Sequence, residues 1–242
     1  MHRPLFGAVF LDPTMNYMIA DTETTGVSDE ASACEIGWIT IDEDFNILTE
    51  VQSIIDPEQV IGAGASAVHG LVWEDCLAYP TIEEFFSVDD PSCYGKKVEE
   101  PTVLIGHRIS FDRRFLGAYI PNIVQELCTL RWVRNLYPDM DNHQLGTTIF
   151  ALNLPRSTGA HRVMGDIMSS YHLLKHVAER TGLTLPELAE ASAQPMWITR
   201  MPFGKHKGEP MADVPRSYLG WMQRSMDLDQ DLAHTIKTIL NK

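Results

Sequence analysis

The sequence predicts a mixed α/β fold, one sheet flanked by helices, on three observations. Strand-like apolar runs come first in the chain, helical periodicities are interleaved after them, and a long amphipathic stripe follows Asp166. Tyr17-Met-Ile-Ala20 is a short apolar run that leads into Asp21-Thr-Glu-Thr-Thr-Gly26. Glu35 to Ile41 reads as a second strand with Ile36, Trp38 and Thr40 on one face, and turn residues Asp42 to Asn46 predict a hairpin into Val51 to Ile55. Pro57 ends that strand, and Ala63 to Leu71 and Trp73 to Leu77 read as short helix and loop. Thr102 to Gly106 is a buried-strand candidate, followed by a helix expected from Phe111 towards Tyr119, capped by Ser110 and stopped by Pro121. Cys128 to Leu136 can be helical. From Asp166, the residues Ile167, Tyr171, Leu174, Val177 and Ala178 recur at helical spacing until Gly182.

The chain has 242 residues, which fits one large domain plus a small appendage. Residues 1–16 read as an N-terminal extension, 17–183 as the main domain, 184–196 as a linker or short helix, and 197–242 as a small C-terminal α+β module. That module contains the glycine-punctuated basic turn Met201-Pro-Phe-Gly-Lys-His-Lys-Gly208, a helix start at Pro215, and a stripe of Leu228, Leu232, Ile236, Ile239 and Leu240. It is too short to be stable alone and is expected to dock on the main domain. Ser87 to Pro101 is polar and reads as a surface insertion.

Apolar residues are 44% of the chain and charged ones 21%, which implies a packed core and excludes a disordered polymer. The longest apolar run, Leu5 to Leu11, is far shorter than the roughly 20 residues of a membrane span, so no membrane partner is expected. Asp12-Pro13 stands where a signal sequence would carry small residues, so the expected location is cytoplasmic. A net charge of −14 argues against a DNA-packaging role but not against an enzyme whose acidic site presents bound cations to phosphate. Cys34, Cys76, Cys93 and Cys128 are too dispersed for a zinc site and read as reduced thiols.

Asp21 and Glu23 lie one residue apart at a strand end, so both side chains share a face and can share a metal. Taken alone, the pair reads as a solvated turn, since acidic pairs at strand ends are common. Asp112, in Gly106-His-Arg-Ile-Ser-Phe-Asp112, taken alone reads as a helix cap. His161 and Asp166 would diverge by roughly 140° on one helix; if the helix begins near Gly165, His161 lies on the preceding loop and both can face one cleft. Four separated carboxylates and a histidine suit phosphodiester hydrolysis with two divalent ions. One activates water, the other stabilises the leaving oxygen, and the hard oxygen ligands select magnesium or manganese. An imidazole, with an ordinary pKa near 6.5, can then serve as general base.

These segments resemble the three motifs of the DEDDh 3′-to-5′ exonucleases: Asp21-Thr-Glu23-Thr-Thr-Gly26, His107 to Asp112, and His161-Arg-Val-Met-Gly-Asp166. Glu35-Ile-Gly37 and Val68-His-Gly-Leu71 are also similar to stretches of that family, so the resemblance spans about residues 17 to 183. Phe203 to Gly208 and Val214 to Trp221 resemble the C-terminal module of one branch of it. The resemblance implies a ribonuclease-H-like fold in which Asp21, Glu23, Asp112 and Asp166 hold two metals and His161 activates water, releasing 5′-mononucleotides. It also implies that Thr24, His69 and Phe111 surround the terminal nucleotide, although Phe111 equally fits core packing. Arg108 departs from the asparagine that relatives usually carry after the histidine of the second motif.

The expected partner is DNA, as single strands and duplex 3′ ends, and the resemblance is compatible with a replication or repair partner and with a homodimer. The basic C-terminal loop, with Arg200, Lys205, Lys207 and Arg216, either guides DNA into the site or simply closes the fold. An RNA exonuclease and a noncatalytic nucleic-acid or replication-partner module stay open as alternatives, because the sequence does not reveal how a 2′-hydroxyl is treated.

Overall fold

A computed structural model describes residues 15–87, 100–120, 122–159 and 161–241. The N-terminal extension before Met15, the polar stretch 88–99 with Cys93, and the Pro121 helix stop lie outside the described residues.

Five strands form one sheet: β1 (Asn16–Thr24), β2 (Ala33–Ile41), β3 (Ile47–Ile54), β4 (Thr102–Gly106) and β5 (Ile123–Cys128). Their order is β3-β2-β1-β4-β5, antiparallel from β3 to β1 and parallel from β1 to β5. The β2–β3 hairpin closes as expected, because Asp42 Oδ1 accepts from the backbone N–H groups of Asp44 and Asn46. Between β3 and β4 come α1 (Ala63–His69), α2 (Trp73–Cys76) and α3 (Ile82–Ser87). The helix expected from Phe111 to Tyr119 is reduced to the single turn α4 (Arg113–Leu116). Ser110 does not cap it, because the chain from His107 to Asp112 is a run of turns, entered through Arg108 at φ 72°. Downstream lie α5 (Thr129–Leu136), α6 (Leu145–Ala151), α7 (Val163–Thr181), α8 (Leu185–Ser192), α9 (Arg216–Ser225) and α10 (Gln230–Leu240). No helix among the described residues is long and apolar enough to cross a membrane.

The two-residue period of β1 sorts its side chains between two cores. Tyr17 and Ile19 join Ile39, Val103, Ile105 and Leu127 against the α7 stripe of Val163, Ile167, Leu174 and Val177. Met18 and Ala20 join Ile36, Trp38 and Leu104 on the opposite face, under Phe85, Phe86, Ile109 and Leu116. Each fully buried aliphatic side chain contributes about 1.5–3 kcal/mol, so both faces are anchored by burial. Gly182, at φ 71°, ends α7 with its N–H bonded to the Ala178 carbonyl.

The C-terminal residues form a separate small core of Met201, Met211, Leu219, Met222, Leu232 and Ile236. Its β part among the described residues is one antiparallel bridge, Arg200 with Pro210. A buried clamp ties it to the sheet domain: Arg131 of α5 donates from Nε and Nη2 to the Asp231 carboxylate at 2.7 Å each and from Nη1 to the Ser192 carbonyl. Asp231 also accepts the Met196 N–H at 2.7 Å. Asp231→Ala leaves Arg131 without its partner in a poorly hydrated setting. It is expected to lower stability by about 3–5 kcal/mol in urea unfolding, and an unchanged midpoint would show that the clamp does not join the two parts.

Candidate active site

Asp21 and Glu23 continue the parity of Tyr17 and Ile19, so both carboxylates face α7. Asp166, in the first turn of α7, meets them there: oxygens of Asp21, Glu23 and Asp166 lie within 4.8 Å of one another. Thr22 points to the other face, where its N–H and hydroxyl each donate to Asp112 Oδ1 at 2.9 Å. The carboxylate of Asp112 is therefore not a helix cap, although the residue occupies the position before α4. It is buried and pinned to Thr22, the residue between Asp21 and Glu23, and is not among the three carboxylates whose oxygens meet within 4.8 Å.

α7 begins at Val163, two residues before the expected start, which leaves His161 on the preceding loop as the divergent-helix argument required. His161 is exposed, in the left-handed region at φ 61°, and its N–H donates to Asp166 Oδ1 at 3.4 Å. Thr24 and His69 are both buried, and their polar atoms are already engaged. The Thr24 hydroxyl donates to the Gly26 carbonyl at 2.7 Å. His69 Nδ1 accepts the Leu71 N–H, which leaves Nε2 to donate to the Thr24 carbonyl at 3.2 Å. The two residues thus shape the end of β1. Phe111 is half-buried, edge-on to Phe115, with the Arg114 guanidinium 5.4 Å from its ring centre.

A further group that the sequence did not single out for the site is the Glu35–Arg162 pair. Glu35 is buried directly across from Glu23 in the β1–β2 register. Arg162, the residue before α7, grips it with two bonds of 2.8 and 2.6 Å, and Glu35 Oε2 also accepts the Val163 N–H at 3.4 Å. The start of α7, and with it Asp166 and His161, is thereby fixed to β2. Gly37 permits the approach, because a Cβ there would lie 2.5 Å from Val163 Cγ1 and 2.9 Å from the Val51 carbonyl. The only signal in sequence was that Glu35-Ile-Gly37 and the Arg after His161 fall in family-like stretches.

Crowding raises the carboxyl pKa values. Shielding from water, then the charges of Asp112 and Asp166, hold Asp21 well above the usual carboxylate range. Shielding and the charge of Asp166 push Glu23 to about 7, partly offset by Arg162. Shielding pushes Asp112 to about 7 against the two Thr22 bonds, and it also raises Asp166 against the His161 N–H. Asp21 and Glu23 have no hydrogen-bond donor among the described residues. Unpaired, mutually repelling hard-oxygen ligands of this kind fit divalent cations such as magnesium or manganese.

A five-stranded mixed sheet of this topology, with carboxylates gathered from β1, the turn after β4 and α7, defines a ribonuclease-H-like exonuclease-type enzyme. The chain belongs to the RNase_T exonuclease family, whose profile matches residues 18–174. A second profile, described as a putative quorum-sensing-regulated virulence factor, matches residues 191–240. Exodeoxyribonuclease 10 of Escherichia coli (strain K12) is 26% identical over 230 residues, which cover 92% of this chain and 97% of that protein. The DEDDh resemblance is borne out, and the chain is similar along most of its length to an exodeoxyribonuclease of the branch its C-terminal module resembles. Exonuclease X in complex with 5′-overhanging duplex DNA superposes with a TM-score of 0.57 at 24% identity over 73% of this chain and 99% of that one. E. coli exonuclease I in complex with a dT13 oligonucleotide does so with a TM-score of 0.55 at 17% identity over 69% and 42%. The family depends on divalent metal, in keeping with the acidic cluster.

Two outcomes follow from this electrostatic arrangement. Arg162→Ala strands a buried Glu35 charge beside Glu23 and is expected to cost about 3–5 kcal/mol, more than Glu35→Gln, which frees a guanidinium that can reach water. Urea midpoints of the two variants test that order. Raised carboxyl pKa values mean that the folded state holds more protons than the unfolded one between about pH 4 and pH 7. Metal-free stability is therefore lost as pH rises through that window. In chelator, Asp21→Asn should melt higher than the parent by at least the 2–4 °C that about 1 kcal/mol produces at this size, at pH 8 and not at pH 5. A gain independent of pH would refute the crowding.

Proposed function

We propose that this chain is a 3′-to-5′ exodeoxyribonuclease that removes 5′-mononucleotides from DNA ends. In this reading Asp21, Glu23, Asp112 and Asp166 hold two divalent ions, magnesium or manganese, and His161 is the general base. The observation that carries it is the convergence of the Asp21, Glu23 and Asp166 oxygens within 4.8 Å, with Asp112 fixed to the intervening Thr22. Bound divalent ions supply neutralisation of phosphate charge and a lowered pKa for the attacking water. The near-full-length match to an exodeoxyribonuclease supports DNA over RNA as the substrate.

The protein's own groups then have separate tasks. Asp21 and Glu23, presented by a buried strand, would hold the ions that neutralise the phosphodiester, with little side-chain freedom left to lose. Asp112 is held by Thr22, so its geometry is set before substrate arrives. His161 stands at the exposed mouth and can accept the proton of the attacking water at its imidazole and pass it to solvent. Asp166 orients the His161 backbone by accepting its N–H, coupling the base to the acidic cluster. Phe111 offers a half-buried aromatic face for the terminal base or sugar, and Thr24 with His69 sets the wall beside it.

The test is a gel time course on matched 5′-labelled single-stranded DNA, duplex DNA and RNA with magnesium or manganese and a chelator control. A metal-dependent ladder shortening from the 3′ end of DNA is expected, with no cleavage by Asp21→Asn. His161→Ala should lose about 10²–10⁴-fold in kcat. Equal degradation of RNA would move the substrate assignment, and no cleavage of any substrate by folded, metal-supplied protein would favour a binding module.

A further inference from the structure

Between the sheet domain and the C-terminal helices runs a cleft of about 1190 Å³, larger than the roughly 300–1,000 Å³ of sites for single small ligands. It follows edge strand β5, whose six residues span about 20 Å, the length of several nucleotides. Its lining includes His107, Arg108 and Ser110, on the turn that leads into Phe111 and Asp112. It also includes Met201 to Phe203 and Lys207 of the C-terminal loop.

In a chain of net charge −14, six Lys and Arg side chains line this cleft against four Asp and Glu. Several of the cations serve the fold: Arg131 is held by Asp231, Arg113 by Glu126 and Arg200 by Asp139. Arg108 and Lys207 have no ion-pair or hydrogen-bond partner for their side chains among the described residues. Both are displayed by fixed backbone. Arg108 sits at φ 72°, a left-handed conformation that is rare for its residue type. The Lys207 loop is cross-tied by Gly208 N–H to the Met201 carbonyl, Met201 N–H to the Glu209 carbonyl, and Arg200 Nη1 to the Gly208 carbonyl. Exposed Phe203 stands on the same loop. Uncommitted cations with an exposed aromatic in a cleft large enough for several nucleotides are what a single polynucleotide strand requires of a protein that does not read sequence.

We propose that this interdomain cleft is the track for the single strand 5′ of the reacting terminus, with Arg108 and Lys207 meeting its phosphates and Phe203 stacking on a base. The proposal rests on the reading that a 3′ end enters the carboxylate site. It gives the C-terminal module a task, to form the far wall of the track, and it gives Arg108 one where relatives usually carry asparagine.

The experiment uses the full-length protein in chelator, so that nothing is cut, and follows labelled dT20 and dT3 by fluorescence anisotropy across a salt series. The variant is Arg108→Asn with Lys207→Ala, since asparagine tolerates the left-handed backbone. The double variant should bind dT20 at least tenfold more weakly, and its slope of log affinity against log salt should be shallower by about 1.4, or 0.7 per lost phosphate contact. With metal restored, the ratio of kcat/KM for dT20 to that for dT3 should fall by a similar factor. Unchanged dT20 affinity and slope in a folded variant would overturn the track. So would equal losses on dT3 and dT20, which would put both residues at the reacting terminus. Parent protein that binds dT20 no tighter than dT3 would also overturn it and leave the cleft to a peptide partner. Parent protein that shows the binding pattern but cuts nothing would remove the exonuclease reading and leave the track standing.

Discussion

Mutual repulsion among five carboxylates is the constraint around which the sheet is organised. Asp21, Glu23, Glu35, Asp112 and Asp166 act on one another through protein that is poor in water, where a charge–charge interaction is several times stronger than in solution. The relief is uneven. Arg162 neutralises Glu35, Thr22 serves Asp112, and the His161 N–H serves Asp166. Asp21 and Glu23 are left with each other, which is a poor arrangement for a structural role and a good one for a cation site. Burial on both faces of β1 supplies the stability against which this local cost is set.

Most of the sheet was legible in sequence because its strands obey simple periods. β1, β2 and β4 carry dense apolar runs, and α7 carries a stripe long enough to be unmistakable. β5 was not, because as an edge strand it mixes Val124, Gln125 and Glu126 without the alternation of a half-buried strand. α3 and α6 are too short for a helical period to accumulate. The helix expected after Ser110 failed for a backbone reason: a left-handed residue at Arg108 redirects the chain into turns, and no local propensity announces that in an arginine.

The acidic site was more legible than its supports. Strand parity put Asp21 and Glu23 on one face and helix geometry put His161 on a loop, but it took the three family-like motifs together to raise these residues above turn and loop readings. The pair that fixes their relation, Glu35 with Arg162, joins residues 127 apart in sequence and leaves no trace in local pattern. Asp112 was recognised as a ligand candidate, yet the reason it is not a cap, its two bonds to Thr22, became visible only once β1 and the turn after β4 lay side by side. Likewise the positive lining of the interdomain cleft is drawn from three separate stretches of an acidic chain, so overall charge concealed it.

The Glu35–Arg162 tie also sets a timetable. At a synthesis rate of roughly 5–20 residues per second, the chain takes about 6–25 s to advance the 127 positions from Glu35 to Arg162. Throughout that interval the nascent chain can pair β1 with β2 and expose two carboxylates, but it lacks the helix that brings the fourth one and the histidine. On the proposed assignment of the site, its parts are therefore not assembled until the last long helix of the sheet domain has been translated and docked.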